Sequence, residues 1–153
     1  MKPYAQQAEE LRLALWADLV SAKDVTTWAE VTLLSLKDFD NELADLSMST
    51  KKPRSILQST LLKLGEGADS FQALRNLLGR MHEELLKNHS GMKKYAQVLE
   101  DLWIGNKYKL PKDLSFIAHV SDRLALAESG QYSSIEEVID KFIQDTEPFL
   151  KFL

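Results

Sequence analysis

The chain has 153 residues, 44% hydrophobic and 27% charged, the composition of a folded domain rather than a disordered tail. No apolar run approaches the ~18 residues of a membrane helix, and Glu9, Glu10 and Arg12 interrupt the N-terminal stretch where a signal peptide would be continuously apolar. There is no cysteine, which excludes disulfides and thiol chemistry; the expectation is one cytoplasmic domain over residues 1–153.

The apolar spacing predicts helices throughout. Tyr4, Ala8, Leu11 and Leu15, widened by Leu13, Trp16 and Val20, mark a first helix over roughly residues 4–20. Ser21 with Asp24 resembles a capping signal, and Val25, Trp28, Ala29, Leu33 and Leu36 mark a second helix. Asp38 would cap a short third helix striped by Phe39, Leu43 and Leu46. A polar loop, residues 47–54, ends with Pro53 in the first turn of a fourth helix, whose stripe is Ile56, Leu57, Thr60, Leu61 and Leu64. Gly65 would close it at C′.

Asp69 or Ser70 opens a fifth helix with Phe71, Leu74, Leu77, Leu78, Met81 and Leu85 on one side. Gly79 inside it costs ~1 kcal/mol against alanine unless a neighbouring backbone needs the space. Ser90 starts a sixth helix, striped by Met92, Tyr95, Ala96, Leu99, Leu102 and Trp103 and stopped by Gly105. After a loop over 105–113, Leu114, Ile117, Ala118, Ser121, Leu124 and Ala125 mark a seventh helix, ended by Gly130. Ser133 or Ser134 caps an eighth, with Ile135, Val138, Ile139, Phe142 and Ile143 as its core face. Pro148 breaks it before an apolar terminus that docks on the core. No segment alternates with period two, so the expected class is all-α: seven to eight helices packed as antiparallel or orthogonal hairpins.

Charge is segregated along this framework. Residues 1–50 carry nine acids against four bases, 51–112 twelve bases against six acids, and 113–153 eight acids against three bases, for a net −4. The acidic balance argues against a dedicated nucleic-acid binder. The basic middle is better explained by pairing with the acidic ends or by solvation. A nucleic-acid module would instead gather Lys51, Lys52, Lys93 and Lys94 on one face.

Catalytic chemistry is hard to assemble. His82 and His89 stand two turns apart, too far to share a metal without ligands between them, and read as surface or boundary residues. Adjacent acids such as Glu83 and Glu84 diverge around a helix, whereas acid–base and metal sites need convergence. The reading is a protein that is not an enzyme and needs no cofactor or metal. The three tryptophans sit on apolar stripes and read as core anchors.

The N-terminal pattern, Leu-Arg-Leu-Ala-Leu-Trp, then a capped turn and Val-x-x-Trp-Ala-Glu over residues 11–30, resembles small all-α bacterial immunity proteins. Those belong to polymorphic toxin systems, including contact-dependent growth inhibition. Glu42–Ser47, Phe71–Gly79 and the stretch from Ile117 through Glu137 extend the similarity, through packing and capping patterns rather than catalytic motifs. The resemblance implies a cytoplasmic inhibitor that binds a cognate toxin C-terminal domain and blocks its active site, with no membrane and no nucleic acid as partner. Many such targets are nucleases with basic clefts, which acidic surfaces complement. The candidate partner-binding residues are therefore Asp38, Asp40, Glu42 and Asp45 near the N-terminus and Glu136, Glu137 and Asp140 near the C-terminus. A helical adaptor without a toxin partner is the alternative.

Overall fold

A computed structural model describes residues 1–131 and 133–153. Among them are eight α-helices and three 3-10 segments, with no strand; the protein is all-α. The chain divides into two compact units, Met1–Leu74 and Arg75–Leu153.

In the first unit α1 (Ala5–Trp16) packs on α4 (Arg54–Leu64), and α2 (Ala22–Ser35) packs on α3 (Asn41–Ser47). Their shared core contains Leu11, Leu15, Val25, Ala29, Leu43, Leu46, Leu57 and Leu61, with Tyr4 and Ala8. Each such leucine contributes roughly 1.5–3 kcal/mol by leaving water, which compensates the poor helix propensity of β-branched α2. The expected capping box is present: Ser21 Oγ accepts from the Asp24 amide at 3.1 Å, and the Asp24 carboxylate accepts from the Ser21 amide at 2.8 Å.

Several expectations for this unit need correcting. Helix α1 stops at Trp16, not near residue 20. The Leu19 amide donates to the Ala14 carbonyl and the Asp18 amide to the Leu15 carbonyl, with Asp18 left-handed at φ 62; this is a Schellman ending with aspartate where glycine is usual. The cap of α3 is Asp40, not Asp38: Asp40 Oδ1 accepts from the Leu43 amide at 3.0 Å, and Phe39 is 73% exposed rather than in the core. In α4, Leu57, Leu61 and Leu64 are buried but Ile56 points outward. Gly65 also has ordinary backbone, φ −86. Its smallness serves α1, since a Cβ there would stand 3.1 Å from the Glu9 amide nitrogen.

Helix α5 (Ser70–Lys87) begins in the first unit and supplies residues 75–87 to the second. Asp69 caps it, accepting from the Phe71 and Gln72 amides at 3.0 and 3.1 Å. The second unit continues with α6 (Met92–Gly105), a 3-10 segment Lys112–His119, α7 (Val120–Glu128), α8 (Ile135–Thr146) and a final 3-10 segment Glu147–Phe152. A 3-10 turn, His89–Gly91, capped by Asn88, precedes α6, so that helix begins at Met92 rather than Ser90.

The seventh helix is a compound element. Its first half is 3-10, and the buried residues run Leu114, Ile117, Val120, Leu124, Ala127. The period is three through the 3-10 part and then widens. Ala118 and Ser121 are therefore only half-buried and Ala125 is exposed. Ser134 caps α8, accepting from the Glu137 amide at 3.1 Å. Val138, Ile139 and Phe142 are buried while Ile135 faces solvent.

The C-terminus docks against one face of α5. A Cβ on Gly79 would lie 2.6 Å from the Phe149 carbonyl oxygen, so the helix-interior glycine does make room for a backbone. One turn toward the N-terminus, Asn76 Nδ2 donates to the Phe152 carbonyl at 2.9 Å. One turn toward the C-terminus, His82 Nδ1 lies 2.9 Å from the Ile143 carbonyl and 3.1 Å from Thr146 Oγ1. A carbonyl can only accept, so Nδ1 carries the proton. His82 is thus a core histidine, only 4% exposed, not a surface one. Phe149 is buried and stacks with Phe116 at 6.0 Å between centroids.

Candidate functional site

The seven candidate acids differ in what the fold asks of them. Asp40 is consumed by structure. It is 9% exposed and accepts from the Tyr4 hydroxyl, from Lys2 Nζ at 3.1 Å and from the Leu43 amide at 3.0 Å. Burial alone would raise its carboxyl pKa; the bonds from Tyr4, Leu43 and Lys2 outweigh that and hold it below the ordinary value. The same environment, burial first and the hydrogen bond to Asp40 second, pushes the Tyr4 phenol well up. Asp40 therefore anchors α3 and is not offered to a partner.

Glu42 pairs with Lys63 at 2.9 Å, Glu136 with His89 Nδ1 at 3.0 Å, and the Glu137 carboxylate accepts from Ser134 Oγ at 3.2 Å. Asp38, Asp45 and Asp140 are exposed and without an ion pair among the described residues. The basic middle does pair with the acidic ends: Arg54 with Asp18, Lys63 with Glu42, and Arg75 with Asp113 at 2.9 Å. The bonds from Arg75 lower the Asp113 pKa. Lys51 and Lys52 precede α4 in the first unit, whereas Lys93 and Lys94 lie on α6 in the second.

Exposed apolar side chains complete the picture around the first acidic stretch. Val31 is 62%, Leu34 80%, Phe39 73% and Met48 77% exposed. Sequence reading missed this set, although a signal existed. Val31 and Leu34 lie on the face of α2 opposite Val25 and Ala29, so they could not share its buried stripe. The tryptophans are also less interior than expected. All three are half-buried; Trp28 meets Tyr4 edge-on at 6.0 Å and donates from Nε1 to Gln7 at 3.2 Å.

A second surface feature lies after α6. The Tyr108 amide donates to the Trp103 carbonyl at 3.1 Å and the Lys107 amide to the Ile104 carbonyl at 2.9 Å. This is a second Schellman ending, and the Trp103–Tyr108 ring pair, T-shaped at 5.4 Å, is its apolar contact. Both Lys107 (φ 55) and Tyr108 (φ 63) are left-handed, although each costs about 1–2 kcal/mol more there than glycine.

A groove of about 290 Å³ between α7 and α8 is lined by Arg123, Glu137, Lys141 and Asp145 over Val120, Val138 and Phe142. Lys141 and Asp145 pair at 2.9 Å across a helical turn. Balanced charge over an apolar floor gives this groove no chemical preference. Among the described residues no three of His, Asp or Glu converge as metal ligands, and no helix is long and apolar enough to cross a membrane.

A scan against protein-family models and searches of curated proteins and of solved structures find no match to this chain.

Proposed function

We propose that this protein is a bacterial immunity protein that binds a cognate toxin domain and covers its active site. It acts in the cytoplasm by stoichiometric association, with no catalysis and no cofactor of its own. The observation that carries this reading is the stretch from Val31 to Met48, where four large apolar side chains stand exposed among the unpaired acids Asp38 and Asp45. Large apolar side chains this exposed, recurring within one short stretch of chain, suit a surface that a partner covers. Acids beside them steer a basic target and fix its orientation. A nuclease cleft, built to hold phosphates, has that basic character. That the partner is a toxin domain rests on the sequence resemblance to immunity proteins.

The test is calorimetric titration of the chain with the protein encoded immediately upstream, which on this reading carries the toxin domain. Sub-micromolar binding is expected. Leu34→Ala and Phe39→Ala should each weaken it by about tenfold or more, and Asp38→Lys should mainly slow association. Absence of binding to that neighbour would leave the helical adaptor as the better reading.

A further inference from the structure

The loop after α6 presents Lys107 and Tyr108 in a conformation that glycine would adopt without cost. The third Schellman ending, after α7, uses glycine for this purpose: Gly130 has φ 74. After α6 the residue types that suit left-handed backbone, Gly105 and Asn106, stand immediately upstream in helical and cap positions. The left-handed places fall instead to a lysine and a tyrosine. Strain of this kind, held where a better residue was available, points to side chains kept for what they contact.

Those side chains stand exposed along one short stretch of chain. Tyr108 is 62% and Ile104 50% exposed, and Trp103 makes a T-shaped contact with the tyrosine ring, most of which stays open to solvent. Lys107, Lys109 and Lys112 are exposed and form no ion pair among the described residues. Of the flanking acids, Asp113 is held by two bonds from the Arg75 guanidinium at 2.9 and 3.1 Å, whereas Asp101 accepts only from the neutral Gln97 amide at 3.1 Å and keeps its charge.

We propose that this loop binds single-stranded nucleic acid, with Tyr108 stacking on a base while Lys107, Lys109 and Lys112 meet the flanking phosphates. A single strand is favoured over a duplex because the open ring needs an unstacked base. It is favoured over an acidic protein because lysine is depleted at protein interfaces, whereas ammonium groups along a backbone are the ordinary means of holding phosphates. With three lysines and one ring, the contact is modest in strength and indifferent to sequence. It is separate from the acidic stretch of the first unit and stands whether or not that stretch binds a toxin.

The experiment is fluorescence anisotropy of the whole chain with labelled oligothymidylate and oligouridylate of about 12 nucleotides, across a salt series. Saturable binding to both is expected at low salt, with log K falling against log salt at a slope of about −2 for three phosphate contacts. Tyr108→Ala should weaken binding about tenfold, whereas Tyr108→Phe, which keeps the ring and its contact with Trp103, should leave it within about twofold. The triple variant K107Q/K109Q/K112Q should flatten the salt slope while circular dichroism stays that of the native chain. No saturable binding overturns the proposal. So does equal loss in the phenylalanine and alanine variants, or polyglutamate competing as well as the oligonucleotides, which would make the loop a protein contact.

Discussion

Replacing Gly79 with alanine offers the sharpest test of how the second unit is held together. Its Cβ would stand 2.6 Å from the Phe149 carbonyl oxygen and 3.2 Å from the Leu153 side chain. The nearer atom is backbone, so the C-terminal segment must move as a piece rather than swing a side chain aside. Overpacking of that severity costs roughly 3 kcal/mol, at the upper end of the usual range. The gain in helix propensity returns ~1 kcal/mol. A net loss of about 2 kcal/mol follows, or a fall in Tm of about 4–8 °C for a chain of this size. Gly105→Ala is the internal control. It is the last residue of α6, and a Cβ there meets nothing within 4 Å, so the same substitution should be neutral or stabilise by up to ~1 kcal/mol. Urea unfolding followed by circular dichroism would measure both. Removing residues 147–153 should abolish most of the Gly79→Ala penalty in a double-mutant cycle. An unchanged or raised midpoint for Gly79→Ala, at constant m-value, would refute the docking of this segment on α5.

Asp40→Ala should destabilise by about 3 kcal/mol, combining a lost helix cap with an abandoned buried tyrosine hydroxyl; thermal unfolding reads this directly. The folded pKa of Asp40 is lowered, so its stabilisation is complete above the ordinary carboxyl value of about 4 and lost as pH falls through the folded value. Asp40→Asn should remove that part of the acid dependence. At the other end the Tyr4 pKa is raised, so stability declines as pH rises past the ordinary phenol value of about 10, and Tyr4→Phe should flatten that decline. Lys107→Gly should raise stability by about 1 kcal/mol, relief of left-handed strain slightly offset by a more flexible unfolded chain. Trp28→Ala should cost about 2 kcal/mol, below the ~3–5 kcal/mol of a fully buried aromatic, because its side chain is only partly buried.

The helices were legible wherever a local signal coincided with a buried stripe. Ser21 and Ser134 announce α2 and α8 because a hydroxyl three residues before an acid satisfies the same orphan amides in any context. The misreadings share a different cause. Asp38 and Asp40 are equally good caps by residue type, and only the bonds from Tyr4 and Lys2, distant in sequence, select the second. The end of α1 at Trp16 was hidden because aspartate, not glycine, takes the left-handed place. Residues 114–119 looked α-helical because a spacing of three fits both helix types over so short a run. Of the candidate surface, the unpaired acids could be enumerated but not distinguished from those spent on capping and ion pairs. That distinction rests on partners such as Lys63 and His89, which no periodicity reveals.

The polar ladder on α5 also bears on how the chain is made. Asn76 and His82 are satisfied by Phe152 and by Ile143 and Thr146, up to 76 positions later. While a ribosome is still extending the chain, that face of α5 has no cover. Were it leucine throughout, a long-lived sticky surface would face the other nascent chains around it. An amide, an imidazole and a bare glycine backbone can instead be hydrated by water during the wait. The same groups that later fasten the terminus thus keep the unfinished unit dissolved, and the slow long-range closure carries less risk of aggregation.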